Sequence, residues 1–230
     1  FRKRVALLDK SFPENQQVQF FKAKIASGDS NFGGAIDTLS SLMEKTPNTE
    51  IIIDLSRNQW QSGDKQAAIS GLQLWVEVNN DDSQAFMLLA QFYMAENRFE
   101  EAKEAYVTLN TLAGDNPVVL NNLAWLLGDT NPEEGIKYAQ KALMLSPDNA
   151  FTEDTLAMLY LKVKEYEEAL NYSAKAAAAL PNNAEVQLNY ASILVANNQS
   201  NKAKELLNTL LTKASNEKTK QLIREQLDQL

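Results

Sequence analysis

The 230-residue sequence contains no cysteine and no histidine. Without cysteine, it can form no disulfide, thiolate nucleophile, iron–sulfur centre or cysteine-based zinc site. Without histidine, it has no Ser-His-Asp triad and no imidazole base. We therefore predict a protein that is not an enzyme and that uses neither a metal nor any other cofactor.

Positive charge and long apolar runs are also scarce. The 22 Lys and Arg residues against 30 Asp and Glu residues give a formal net charge of −8. Binding to a nucleic-acid backbone needs an excess of positive charge, so we predict no nucleic-acid partner. No apolar run approaches the roughly 18–20 residues that a membrane span needs, so we expect no direct membrane insertion of this chain.

No export signal is recognisable in the sequence. The basic segment Phe1 to Arg4 is followed by an apolar stretch much shorter than the about 7–15 residues of a signal-peptide core. The chain does not start with methionine, so we interpret it as a piece of a longer protein. A signal or a lipid anchor would then lie upstream.

A helix-turn-helix pattern of about 34 residues recurs along the chain. Its clearest copies run from Leu89-Ala90 to Phe99-Glu100-Glu101-Ala102 and from Leu156-Ala157 to Tyr166-Glu167-Glu168-Ala169. Apolar residues recur with the helical period, which predicts an all-α fold. One helix pair cannot bury its own apolar stripe, so stacked neighbours are needed to form a continuous core.

The whole chain, 1–230, is predicted to be a single solenoid domain. Residues 1–15 are interpreted as the last helix of a truncated preceding repeat, and residues 218–230 as a capping helix. The repeats are predicted at 16–48, 49–82, 83–116, 117–149, 150–183 and 184–217.

Small and large side chains alternate with the repeat. We expect Ala90, Ala124, Ala157 and Ala191, together with Ala102, Ala169 and Ala203, to lie where two helices approach closely. We expect Tyr93, Tyr160, Phe99 and Tyr166 to fill the space between helices. The second helices should end near Pro47, Pro147 and Pro181, because proline lacks the N–H that continues a helix. The asparagines that follow can cap the next helix.

These residues resemble the tetratricopeptide repeat (TPR) family over essentially the whole chain. The resemblance implies a right-handed superhelical solenoid of antiparallel helix pairs. Residues 117–181, beginning with the segment Asn121 to Leu127, look like the C-terminal part of bacterial envelope TPR lipoproteins, most of all that of the PEP-CTERM/exosortase system. That system is associated with exopolysaccharide production and protein sorting. The resemblance implies a periplasmic protein associated with the outer membrane, with a cytoplasmic location as the alternative.

In TPR proteins, the first helix of each repeat lines the concave groove in which a peptide or protein partner binds. Carried over to this sequence, the resemblance implies a concave face formed by Asp54, Arg57, Trp60, Met87, Gln91, Met94, Asn121, Asn122, Trp125, Asp154, Thr155, Met158 and Asn189.

The residue types on this face suggest what it binds. Methionines make adaptable apolar contacts, and tryptophans are typical anchors of an interface. The amides of Asn122 and Asn189 can bond both the N–H and the C=O of an extended peptide. Asp54 and Asp154 would repel a terminal carboxylate. We therefore expect an internal, apolar or mixed segment rather than a C-terminal tail.

Other interpretations stay open at this stage. Trp60 and Trp125 could close the packing between neighbouring first helices, and the methionines could belong to the core. The solenoid could also be a spacer whose convex face or edge binds the partner. As alternatives to an envelope scaffold, the chain could be a cytoplasmic TPR adaptor or co-chaperone, or the spacer arm of a larger enzyme.

Overall fold

The computed structural model describes all residues from 1 to 230 and contains fourteen helices and no strand. The predicted all-α fold is confirmed. The helices are α1 (Arg2–Ser11), α2 (Gln16–Gly28), α3 (Phe32–Lys45), α4 (Thr49–Ser62), α5 (Lys65–Val78), α6 (Ser83–Ala95), α7 (Phe99–Ala113), α8 (Pro117–Leu127), α9 (Pro132–Leu145), α10 (Ala150–Lys162), α11 (Tyr166–Ala179), α12 (Ala184–Ala196), α13 (Ser200–Lys213) and α14 (Glu217–Asp228).

The chain divides into two compact units, an N-terminal unit (Phe1–Ala113) and a C-terminal unit (Gly114–Leu230). In the N-terminal unit, α2, α4 and α6 pack side by side, whereas α3, α5 and α7 pack only against these helices. In the C-terminal unit, α8, α10, α12 and α14 form the corresponding row, and α9, α11 and α13 pack against it. We call the members of the two rows first helices and the others second helices. The single solenoid domain and its repeat boundaries stay predictions.

Asparagine side chains begin most of the helices. Eight helices carry an asparagine N-cap whose side chain accepts a backbone N–H: Asn15, Asn31, Asn48, Asn116, Asn131, Asn149, Asn183 and Asn216. Such a cap satisfies one of the N–H groups that a helix start leaves without a partner. The second helices α3, α9 and α11 end two residues before a proline, as the sequence predicts.

The repeated alanines of the first and second helices are fully buried. Ala90, Ala124 and Ala157 on the first helices have no exposed surface, and neither have Ala102 and Ala169 on the second helices. The expectation for the large side chains is only half correct. Tyr93 is buried, but Phe99 and Tyr166 are each 40% exposed. Both begin a second helix, so their side chains lie at the end of the helix pair.

In α9, Gly135 takes the place that Ala102 holds in α7 and Ala169 holds in α11. Its neighbours leave no room for a methyl group. A Cβ at Gly135 would lie 2.9 Å from the carbonyl oxygen of Ala124 and 3.0 Å from Leu159 Cδ2. We expect Gly135→Ala to destabilise the fold by about 1–2 kcal/mol, because the overpacking outweighs the better helix propensity of alanine. Urea denaturation followed by circular dichroism measures this change.

Gly71 in α5 provides the matched control for this substitution. A Cβ there would make an ordinary contact, 3.7 Å from Ile52 Cδ1. Gly71→Ala should therefore stabilise the protein by about 0.5–1 kcal/mol through helix propensity alone. Equal effects of the two substitutions would contradict the close approach of α9 to α8.

Candidate functional site

The structure places every predicted site residue on a first helix, from α4 to α12. Because first helices contact one another and second helices do not, the row of first helices is the tighter layer of each unit. We call the side of this layer that faces away from the second helices the first-helix face.

In the N-terminal unit, the acidic residue of the first-helix face has a cation of its own. Lys24 Nζ on α2 lies 3.4 Å from Asp54 Oδ2 and 3.0 Å from Glu50 Oε1. The hydrogen bond to Glu50, with a smaller contribution from Asp54, raises the pKa of Lys24 above its ordinary value. One lysine of the same unit therefore lies beside both carboxylates of α4.

Trp60 packs between two first helices of the same unit. Its ring stacks on that of Phe92 from α6, with 4.1 Å between the centroids and an angle of 12° between the planes. Lys65 Nζ lies 5.1 Å from the centroid of the Trp60 ring. Of the two interpretations of Trp60, this contact favours packing between neighbouring first helices over an anchor for a partner.

The other predicted residues of the N-terminal unit differ in exposure. Arg57 and Gln91 are exposed, and Met87 and Met94 are half-buried. These four side chains give the face a mixed polar and apolar surface without a second charged pair.

In the C-terminal unit, the structure brings Asp154 and Asn189 together. Asn189 Nδ2 on α12 donates a hydrogen bond of 2.9 Å to Asp154 Oδ2 on α10. Burial raises the pKa of Asp154 from 3.8 to about 6, although the Asn189 bond opposes this shift, and the negative charge of Glu185 adds to it. Asp154 forms no ion pair, and its Oδ1 is buried without any hydrogen-bond partner.

Thr155 and Asn121 differ in whether their side chains have a hydrogen-bonding group without a partner. Thr155 is 8% exposed, and its hydroxyl donates to the carbonyl oxygen of Phe151, so it presents little to a partner. Asn121 is half-buried, and its Oδ1 is a second buried acceptor without a partner. Asn121 in α8 and Asp154 in the adjacent α10 are equivalent positions, each the fifth residue of its predicted repeat.

Large apolar side chains are exposed around these acceptors. Trp125 on α8 is 48% exposed, and Phe151 on α10 is 57% exposed. Phe151 and half-buried Met158 lie three residues before and four residues after Asp154, so the three side chains share one face of α10. The first-helix face of the C-terminal unit is thus an apolar surface around one unpaired carboxyl group.

Sequence reasoning missed the contribution of α14 to this unit. Gln226 Nε2 donates to Ser192 Oγ at 2.8 Å and to the carbonyl oxygen of Leu188 at 3.3 Å. The interpretation of 218–230 as a cap depends on its apolar stripe and on the polar residues that cover its other faces. Neither feature specifies which glutamine bonds to α12.

The structure shows no cluster of three or more acidic side chains that could hold a metal ion. None of its helices combines the length and the apolar character of a bilayer-crossing segment. The paired glutamates at the starts of α7, α9 and α11 lie in the first helical turn, where negative charge stabilises the helix dipole.

Two separate stretches match family models described as tetratricopeptide repeat, residues 83–116 and residues 160–223. These two stretches carry tetratricopeptide repeats. The first TPR match covers α6 and α7, and the second runs from the end of α10 into α14. No curated protein matches the sequence of this chain.

Several solved structures share the fold at low sequence identity. A tetratricopeptide repeat protein from Parabacteroides merdae is 15% identical, with a TM-score of 0.80 over 92% of this chain and 85% of that protein. PilF of Pseudomonas aeruginosa is 17% identical, with a TM-score of 0.71 over 91% and 96%. YrrB, described as a TPR protein with an unusual peptide-binding site, is 15% identical, with a TM-score of 0.62 over 81% and 97%. At these identities, the likeness shows the fold alone.

Proposed function

We propose that the chain is a non-catalytic scaffold that binds a peptide or protein segment on the first-helix face of its C-terminal unit. One observation carries this proposal: two buried acceptors, Asp154 Oδ1 and Asn121 Oδ1, have no donor, and they lie among exposed apolar side chains. A buried acceptor without a partner costs roughly 1–3 kcal/mol. A bound segment would supply the missing N–H groups and cover Trp125 and Phe151.

We further propose that this scaffold works in a bacterial envelope complex linked to exopolysaccharide production or protein sorting. This part is supported by the resemblance of residues 117–181 to envelope TPR lipoproteins of the PEP-CTERM/exosortase system. The full-length protein would be periplasmic and associated with the outer membrane, with the lipid anchor upstream of this chain. Subcellular fractionation of the organism that makes this protein tests the location. Recovery of the full-length protein in the cytoplasm would contradict it.

Peptide binding is tested by selection from a displayed library of random 12-residue peptides on the immobilised 230-residue chain. A selected peptide carrying a fluorescent label is then titrated against purified variants. We expect Phe151→Ala to weaken binding about tenfold or more, because exposed aromatic side chains are typical anchors of an interface. Fluorescence anisotropy gives the dissociation constants.

Met144 provides the control for this experiment. It is 73% exposed, as accessible as Phe151, but it belongs to the second helix α9. Met144→Ala should therefore bind the peptide like the unmodified chain. If Met144→Ala weakens binding and Phe151→Ala does not, the partner binds the second-helix side and the proposed site is wrong.

A further inference from the structure

Asp154 is the only predicted acidic site residue that lacks a cation. Asp54, on the first-helix face of the N-terminal unit, has Lys24 within 3.4 Å. The side chains that act on Asp154 are the neutral amide of Asn189 and the negative carboxylate of Glu185. One unit therefore balances its acidic residue internally, and the other leaves a negative site without a counter-charge.

No donor of the chain itself bonds to the second carboxylate oxygen of Asp154. Asn189 occupies Oδ2, and Oδ1 is buried with no partner. A neutral N–H would satisfy the hydrogen bond but not the charge. A positively charged donor satisfies both, and such charge-assisted hydrogen bonds are about twice as strong as neutral ones. Charge complementarity therefore favours a lysine or an arginine at this point.

Exposed aromatic side chains on α8 and α10 indicate that the residues next to the partner's cation are apolar. Phe151 lies three residues before Asp154, about 4.5 Å along the axis of α10, and Trp125 lies on the adjacent helix α8. Neighbouring helix axes are about 8–10 Å apart, and alternate side chains of an extended peptide are about 7 Å apart. Trp125 and Phe151 therefore lie on adjacent first helices of the same unit, where one bound segment can contact both.

We propose that the first-helix face of the C-terminal unit binds a segment that inserts a lysine or arginine side chain beside Asp154 and places apolar side chains against Trp125 and Phe151. This inference rests on the proposed peptide-binding function and specifies the chemistry of its partner. The partner is a protein segment in which a basic residue is flanked at close spacing by apolar residues.

The test is a double-mutant cycle on a peptide selected from the random 12-residue library. Its basic residue is replaced by glutamine, and the chain carries Asp154→Asn. We expect the lysine-to-glutamine change to weaken binding to the unmodified chain about tenfold to a hundredfold, because it leaves a buried charge unpaired. Against Asp154→Asn, the same change should alter the dissociation constant less than about threefold.

Glu167→Gln is the matched control, because it also removes one negative charge. Glu167 is exposed at the start of the second helix α11. This variant should show the same preference for the lysine peptide as the unmodified chain. Circular dichroism before the titrations establishes that each variant is folded.

The outcomes separate this inference from the function on which it rests. Selected peptides without enrichment of lysine or arginine, or equal losses against the unmodified chain and Asp154→Asn, would overturn the basic-residue site. Peptide binding that is lost in Phe151→Ala would then still support the proposed function. Failure to select any binding peptide would overturn both.

Discussion

Asp82→Ala is expected to lower the stability of the N-terminal unit more than any other single side-chain truncation outside its apolar core. Asp82 Oδ1 caps α6 by accepting the N–H groups of Gln84 and Ala85. Asp82 Oδ2 accepts the indole N–H of Trp75 and the hydroxyl of Thr49, each at 2.7 Å. One carboxylate thus joins the start of α4, the end of α5 and the start of α6.

The stability loss expected for Asp82→Ala follows from the number of hydrogen bonds that the carboxylate accepts. Loss of an N-cap costs about 1 kcal/mol, and hydrogen bonds to a charged group contribute about 1.5–3 kcal/mol each. At the low end of these ranges the cap and the two hydrogen bonds would contribute about 4 kcal/mol, and because Asp82 is only half-buried we expect a total loss of about 3 kcal/mol. For a chain of this size, the midpoint of thermal unfolding should fall by roughly 10 °C. Asp81→Ala, in the exposed neighbouring position, should shift it little.

The stability loss caused by Asp82→Ala should become smaller as the pH falls. Burial tends to raise the pKa of Asp82, but its hydrogen bonds from Trp75, Thr49 and two backbone N–H groups outweigh burial and hold the pKa below 3.8. A lowered folded pKa contributes stability above the unfolded pKa, and this contribution is lost as the pH falls through the folded value. The difference between Asp82→Ala and the unmodified chain should therefore be full at pH 7 and shrink below about pH 4. A difference independent of pH would contradict this role of the carboxylate.

Asp82→Asn separates the cap from the other two hydrogen bonds. Asparagine caps eight helices of this protein, so the substitution should preserve the start of α6. Its single oxygen is then used by the cap, and its NH2 group is a donor that cannot accept from Trp75 or Thr49. We expect it to lose roughly two thirds or more of the stability lost by Asp82→Ala, measured by the same unfolding transition.

Local features of the fold could be predicted from sequence because they depend on residues close together in the chain. The caps at Asn48, Asn149 and Asn183 each bond to a backbone N–H three residues on. The helix ends before Pro47 and Pro147 depend on the missing N–H of proline. These contacts need no knowledge of how the helices pack.

The candidate site was only partly predictable, because its side chains pair between helices. Positions on the first helices follow from the repeat, but Asp54 pairs with Lys24, and Asp154 pairs with Asn189, about one repeat away. The stacking of Trp60 on Phe92 depends on ring orientation, which the repeat pattern does not specify. The distinction between an acidic residue that lies near a cation and one that does not therefore required the packed structure.

Asp154→Asn is expected to stabilise the protein at neutral and alkaline pH. The folded pKa of Asp154 is about 6, against an ordinary value of 3.8. Between these values, the folded state holds a proton that the unfolded state has released, so stability falls as the pH rises. Above about pH 7 the ionised group destabilises the fold by up to about 3 kcal/mol, and its remaining solvent contact reduces this to about 2 kcal/mol.

Asparagine resembles the protonated acid, so the gain of Asp154→Asn should be about 2 kcal/mol at pH 8 and close to zero below about pH 4. Thermal unfolding at both pH values measures it, and we expect a midpoint raised by roughly 4–8 °C at pH 8. Asp37→Asn, an exposed substitution of the same kind on α3, should change neither midpoint. Destabilisation by Asp154→Asn at pH 8 would show that the carboxylate supports the fold.

A variant that is more stable but binds less would identify Asp154 as a residue kept for binding. A side chain needed for packing loses stability when it is replaced, whereas a buried ionisable group at a binding site stores unfavourable energy that its ligand relieves. The two measurements on Asp154→Asn are therefore linked by one cause. A basic partner should lower the pKa of Asp154 towards its ordinary value, so peptide affinity should fall as the pH drops below about 6. Affinity that stays constant from pH 5 to pH 8 would contradict this linkage even if the stability gain is observed.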